Sequence, residues 1–152
     1  QHIHAASTGY LSTYFARQCG LPVHEGADKE EIRPGHVYVA PPNYHMLVED
    51  DLSLSLSVDE RVNYSRPSID VLFESAADVY RNGLVGVILT GANTDGARGL
   101  AKIRDFGGLA LVQCPEEAEA PVMPRAALET TVPDDVLTVA EIGRRLMQLA
   151  KQ

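Results

Sequence analysis

The chain has 152 residues, 45% of them hydrophobic and 22% charged, with a formal net charge of −8 at pH 7. That length and balance belong to one globular domain with a real core and exclude wholesale disorder. The acidic surplus excludes a nucleic-acid ligand, which needs a basic face, and disfavours an anionic membrane surface.

Tyr10 to Arg17 (YLSTYFAR) is apolar at helical spacing and is stopped by Cys19-Gly20 and Pro22, so a helix is expected over 8–18 with Ser7 or Thr8 as its N-cap. GHVYVAPP (35–42) is a β-rich run closed by two prolines and reads as a strand ending in a loop. HMLVED and LSLSLSVD alternate on either side of Asp50-Asp51, which predicts an antiparallel hairpin over about 45–58 with one wet face. After the loop VNYSRP, Ser68 is the expected cap of a helix in which Ile69, Leu72, Phe73, Ala76 and Val79 form one apolar stripe and Gly83 is the stop.

LVGVILTG (84–91) is continuous and β-branched, as a central strand covered on both faces should be. A helix from about Ala97 to Phe106, a buried strand LALVQ (109–113), a proline-broken loop and a short helix PRAALET come next. DVLTV then leads into the final helix AEIGRRLMQLA. This alternation predicts an α/β fold: a doubly wound, mostly parallel sheet with helices on both faces and the 45–58 hairpin at one edge. Functional groups in such sheets gather at the carboxyl ends of the strands.

No apolar run approaches the roughly 20 residues needed to span a bilayer, and there is no signal peptide, so no membrane insertion and a cytoplasmic location are expected. Cys19 and Cys114 lack ligand-like spacing and read as reduced, partly buried thiols.

Three stretches carry chemistry. LTGANTDGARG (89–99) leaves the central strand and opens a helix, placing Asp95 on a loop beside N–H groups suited to an anion or oxyanion. Position alone leaves Asp95 either a cap of that helix or a functional carboxylate. No Gly-Lys-Ser/Thr follows, which removes a phosphate-loop reading. QHIH (1–4) looks like the tail of a strand reaching a loop, and spacing alone does not separate His2 from His4. A zinc set of His2, His4 and a carboxylate has no second ligand cluster behind it. His24, His36 and His45 read as structural or exposed. AASTG (5–9) imitates a nucleophile turn, but such a serine needs a buried strand leading into it. The six residues before Ser7 cannot form one.

Beyond these local readings, QHI (1–3), LPV with a following glutamate (22–25), RPGHVYVAPPNYHMLV (33–48), RPSIDVLFESAA (66–77), GVILTGANTDGARGL (86–100) and MPRAAL (123–128) occur in order along nearly the whole chain. Together they resemble the catalytic domain of the chemotaxis protein-glutamate methylesterases, the CheB family. The resemblance implies a serine hydrolase that removes methyl groups from methylated glutamates on bacterial chemoreceptors, releasing methanol, with deamidation of receptor glutamines in related members. It implies a Ser, His and Asp triad in which His2 of the Gln1-His2 pair is the base, Asp95 orients it and the Ala92 N–H helps hold the oxyanion. No cofactor and no metal is implied. The implied partners are the cytoplasmic domains of methyl-accepting chemoreceptors and a receiver domain in cis or in trans.

The family's serine lies on an earlier GAS-x-GG turn, upstream of the histidine strand. AASTG falls on the other side of Gln1-His2, so Ser7 is expected to be a decoy and no nucleophile is expected in residues 1–152. Starting at Gln1 without an initiator Met, the chain is expected to be an N-terminally incomplete methylesterase domain (1–152) without a receiver domain. The alternative is an inactive fragment or adaptor that docks on receptors or signalling proteins without turnover. A phosphate- or nucleotide-binding α/β protein built on the 89–99 loop lacks any basic phosphate ligand there. His2 and Asp95 are expected to meet at the carboxyl edge of the sheet, and Asp95, on a surface loop among glycines, is expected to matter little to stability.

Overall fold

The computed structural model describes residues 9–151. Helix α1 (Tyr10–Gln18) leads into β1 (Val23–Glu25) and β2 (Val37–Val39), which pair in parallel. β3 (His45–Val48) and β4 (Leu54–Ser57) form the expected hairpin, in register His45↔Ser57 to Val48↔Leu54. Then come α2 (Ile69–Tyr80), β5 (Val85–Ile88), α3 (Ala97–Asp105), β6 (Leu109–Gln113), α4 (Val122–Thr130), β7 (Asp135–Leu137) and α5 (Val139–Leu149). β5, β6 and β7 make a parallel three-stranded ladder in that order, with Val85 opposite Leu109 and Leu111 opposite Asp135.

The continuous apolar strands are buried as their composition requires. Ile88 of β5 and Ala110 and Val112 of β6 face one way and pack against Leu100 of α3 and Met123 and Ala127 of α4. Leu111, pointing to the opposite face, is also fully buried, and α5 packs along β6 and β7. A second cluster joins Met46 and Val48 of β3, Leu54 of β4 and Ala76 of α2. The α2 stripe is divided between them: Ile69 and Phe73 pack on the sheet cluster, Leu72 and Val79 on the hairpin cluster. Among the described residues the hairpin is therefore a separate ladder lying against α2. The Val48 N–H donates to Ser75 Oγ at 3.1 Å across that contact.

Several boundaries differ from expectation for local reasons. The N-cap of α1 is Gly9 rather than Ser7 or Thr8; it takes a left-handed conformation (φ 61°) and its N–H donates to Glu25 Oε1 at 3.1 Å. The short strand β1 was not foreseen, since three residues show no period. Helix α4 begins at Val122 instead of Pro124, because a proline in a first turn lacks only an N–H that would be unpaired anyway. The β5 strand stops at Ile88, where the next segment turns to bond side chains. Cys19 is exposed rather than partly buried, and both cysteines are free thiols.

Helices α2 and α3 approach closely at Gly99, where an added Cβ would lie 2.5 Å from Phe73 Cβ and 3.2 Å from the Asp70 carbonyl oxygen. Neither is the flexible end of a side chain. Gly99→Ala, which gains about 1 kcal/mol of intrinsic helix propensity, should nonetheless destabilise the domain by roughly 1–3 kcal/mol through forced separation of the helices. Equilibrium denaturation of the variant checks this.

Candidate active site

The carboxyl end of β5 opens into the segment 89–96, and its first part is pinned from two sides. Gln113, 4% exposed at the end of β6, accepts the Thr90 N–H through Oε1 at 2.7 Å. Thr90 Oγ1 accepts the Ala120 N–H at 2.8 Å, Gly91 N–H donates to the Ala120 carbonyl at 2.9 Å, and Met123 N–H donates to the Gly91 carbonyl at 3.0 Å. Ala92 follows on this fixed backbone. It lines a depression of about 330 Å³ with Ile69, Leu89, Thr90, Gly91 and Met123.

Asp95 is not on the surface. Its exposure is 0%, and donors surround it. Oδ1 accepts from Ser68 Oγ at 2.7 Å, the Asp70 N–H at 3.1 Å and Asn63 Nδ2 at 3.2 Å; Oδ2 accepts the Ile69 N–H at 2.6 Å. Its own N–H donates to Asn93 Oδ1 at 3.0 Å, which closes the turn. The carboxylate does cap a helix, but it caps α2 across the interface, not the α3 helix that it precedes. Ser68 holds the N-cap position of α2 with extended backbone, yet its hydroxyl donates to Asp95 instead of accepting from the helix. A carboxylate is the stronger acceptor for the unpaired N–H groups of a helix start.

Asp70, in the first turn of α2 and 1% exposed, returns the arrangement. Its Oδ1 accepts the Gly99 N–H of α3 at 2.8 Å, and its Oδ2 accepts from Asn63 Nδ2 at 3.0 Å and Arg98 Nε at 3.3 Å. The neighbouring His45 is a buried structural histidine, 1% exposed. Its Nδ1 accepts the Ser68 N–H at 3.2 Å while Nε2 donates to the Glu60 carbonyl at 3.0 Å, which selects the Nε2–H tautomer.

Of the residues singled out from sequence, Asp95 and Ala92 thus lie on one loop at the strand end where sites of this fold gather. His2, His4 and Ser7 lie outside the described residues, and so does the expected His2–Asp95 contact. Sequence reasoning missed Asn63, Asp70 and the acceptor role of Gln113. Asp70 had one visible signal, an acidic residue in a helix's first turn, and Asn63 sat in a segment that reads only as a turn.

The expectation that Asp95 matters little to stability is corrected by its burial. An asparagine in its place would turn one acceptor oxygen into an NH₂ facing backbone donors. Asp95→Asn should cost about 2 kcal/mol or more, seen as a fall in Tm of roughly 5 °C for a chain of this size. A melting temperature within 1–2 °C of the parent would contradict the described bonding.

Comparison with known proteins meets this geometry. The family model for the CheB methylesterase matches residues 1–146. A Leptospira interrogans protein, provisionally named a protein-glutamate methylesterase/protein-glutamine glutaminase, is 54% identical over 98% of the chain and 77% of its own length. The protein-glutamate methylesterase/protein-glutamine glutaminase of Nitrobacter winogradskyi is 38% identical over 98% of the chain, which spans 36% of that protein. The crystal structure of the Thermotoga maritima CheB methylesterase catalytic domain superposes with a TM-score of 0.92 at 30% identity, covering 98% of this chain and 80% of that one. With that sequence match, that fold and the Asp95 loop at the end of β5, the chain belongs to the CheB methylesterase family.

Proposed function

We propose that this domain hydrolyses glutamate methyl esters on the cytoplasmic segments of bacterial chemoreceptors, releasing methanol, and deamidates receptor glutamines with release of ammonia. The observation that carries the reading is Asp95: a fully buried carboxylate, bonded by four donors among the described residues, on the loop where the family carries its triad acid. A serine from the family's GAS-x-GG turn, which precedes the Gln-His pair in the family's order, attacks the ester carbonyl. His2 takes the serine proton and returns it to the departing methoxide, and water then cleaves the acyl-enzyme by the same route. Asp95 accepts the other imidazole N–H, fixing the tautomer and stabilising the cation that forms. The Ala92 N–H donates to the tetrahedral oxyanion. The pinned Thr90–Gly91 segment keeps that donor oriented before charge develops.

None of these steps calls on a metal or cofactor. Among the described residues no helix is long and apolar enough to cross a membrane, which accords with action at the cytoplasmic face of the receptors, under a receiver domain in cis or in trans.

Methyl release from methylated receptor fragments by the intact protein tests the assignment. His2→Ala should lose turnover by about 10³-fold or more, because triad members act as a unit, while Ser7→Ala should stay within a few fold. The 152-residue chain should release no methyl groups above background, and a fluorophosphonate should leave Ser7 unlabelled. Labelling at Ser7 that is abolished in Ser7→Ala would make AASTG the nucleophile turn. Intact protein that binds methylated receptor without releasing methanol would favour an adaptor.

A further inference from the structure

The residue that joins the two buried carboxylates comes from neither of their elements. Asn63 lies in the turn Val62–Ser65, closed by Val62 N–H to the Ser65 carbonyl at 3.2 Å and Ser65 N–H to the Val62 carbonyl at 2.9 Å. Both central residues are left-handed, Asn63 at φ 50° and Tyr64 at φ 62°. Asparagine tolerates that conformation through its short polar side chain, but a tyrosine there is strained. Tyr64 gains nothing in packing, since it is 96% exposed. The product of the strained turn is the placement of the Asn63 amide, whose single NH₂ donates to Asp95 Oδ1 at 3.2 Å and to Asp70 Oδ2 at 3.0 Å.

That amide sits where two like charges meet. The Asp70 N–H bonds Asp95 Oδ1, so the carboxylates belong to one network, both withdrawn from water. Among the described residues, the charged and titratable groups facing it come from α3, α2 and β3. Arg98 Nε of α3 lies 3.3 Å from Asp70 Oδ2 and its Nη2 lies 3.3 Å from Glu74, while His45 of β3 reaches the network through the Ser68 N–H. Arg98 is 65% exposed and reaches Asp70, not Asp95. The Asn63 amide is the described donor that answers both carboxylates at once. Removing it leaves adjacent buried charges to be relieved by uptake of a proton. A protonated Asp95 cannot stabilise an imidazolium.

We propose that Asn63 is a positioning residue for the reaction: its amide tethers Asp95 to Asp70 and holds the Asp95 carboxyl in the orientation that receives the imidazole. This rests on the reading of Asp95 as the triad acid.

Two variants separate the amide from the turn. Asn63→Gly deletes the amide while keeping, and easing, the left-handed backbone; Asn63→Asp keeps the shape and substitutes a third carboxylate. In the intact protein, carbon-13 carboxyl titrations of Asp95 and Asp70 should move upward in Asn63→Gly and further in Asn63→Asp. The acid limb of the kcat/KM profile should rise with them. Loss of one hydrogen bond to a charged group corresponds to a fall in kcat of about 10-fold or more near neutral pH, with KM changed less than two-fold. Should Asn63→Asp fail to fold, Asn63→Gly carries the test alone. Reduced stability with titrations and acid limb unmoved would make Asn63 merely structural and overturn the proposal. Titrations that move while kcat holds would overturn the link to catalysis, and unchanged activity in Asp95→Asn would then place the fault in the triad reading. An inactive Asp95→Asn beside unmoved Asn63 titrations would overturn the tether alone.

Discussion

Two helices start side by side in this domain, and each is capped by a carboxylate belonging to the other's neighbourhood. Asp95, just before α3, accepts the first N–H groups of α2; Asp70, in the first turn of α2, accepts the Gly99 N–H of α3. A helix start exposes unpaired donors and the positive end of a dipole, so an anion there is stabilised by geometry and field together. Exchanging the caps locks the helices to one another as well as terminating them. Buried carboxylates are tolerable only when fully bonded. Here three of the seven described bonds come from backbone N–H groups that cannot rotate away, and the side chains of Ser68, Asn63 and Arg98 supply the others. The close contact at Gly99 follows, because Asp70 reaches the α3 backbone only where no side chain separates the helices.

On the proposed reading of Asp95 as the triad acid, this locking also serves chemistry: the α2 start orients the carboxylate through its N–H groups while the packed interface keeps it from water. Ala92 is fixed by a separate set of bonds, through Thr90, Gly91 and Gln113, on the opposite flank of the same loop. The loop 89–96 is irregular in backbone yet determined at both ends. Residues of irregular segments are suited to sites when a rigid scaffold positions them in this way.

Much of the fold was legible because burial imposes period. LALVQ had to be a covered strand, the stripe on 69–79 had to be a helix face, and the alternation around Asp50-Asp51 had to be a hairpin. The termini of elements were less legible, since they depend on partners remote in sequence. Nothing local shows that the N–H groups of Ile69 and Asp70 are taken by a residue 25 or so positions onward, so Ser68 read as the cap. Asp95 was singled out through its strand-end position and family motif, but its burial was not legible, because glycines on either side imitate a solvent loop. Asn63 left no trace: an asparagine between Val and Tyr is common turn chemistry, and its two acceptors lie 7 and 32 residues away.

The division of the α2 stripe has a consequence for how the molecule comes apart. A helix that completes two hydrophobic clusters cannot be released by either one alone, so hairpin and parallel sheet are joined into one cooperative unit. The carboxylates at the start of α2 therefore sit at the high end of the domain's local-opening spectrum. Active sites are commonly carried on mobile segments whose fluctuations trade precision for access; the proposed one has its carboxylate where opening requires the near-global event. On that proposed reading, access for a protein substrate comes from the outer rim, from Tyr64, Leu89 and the depression beside Ala92, while the Asp95 carboxylate stays still.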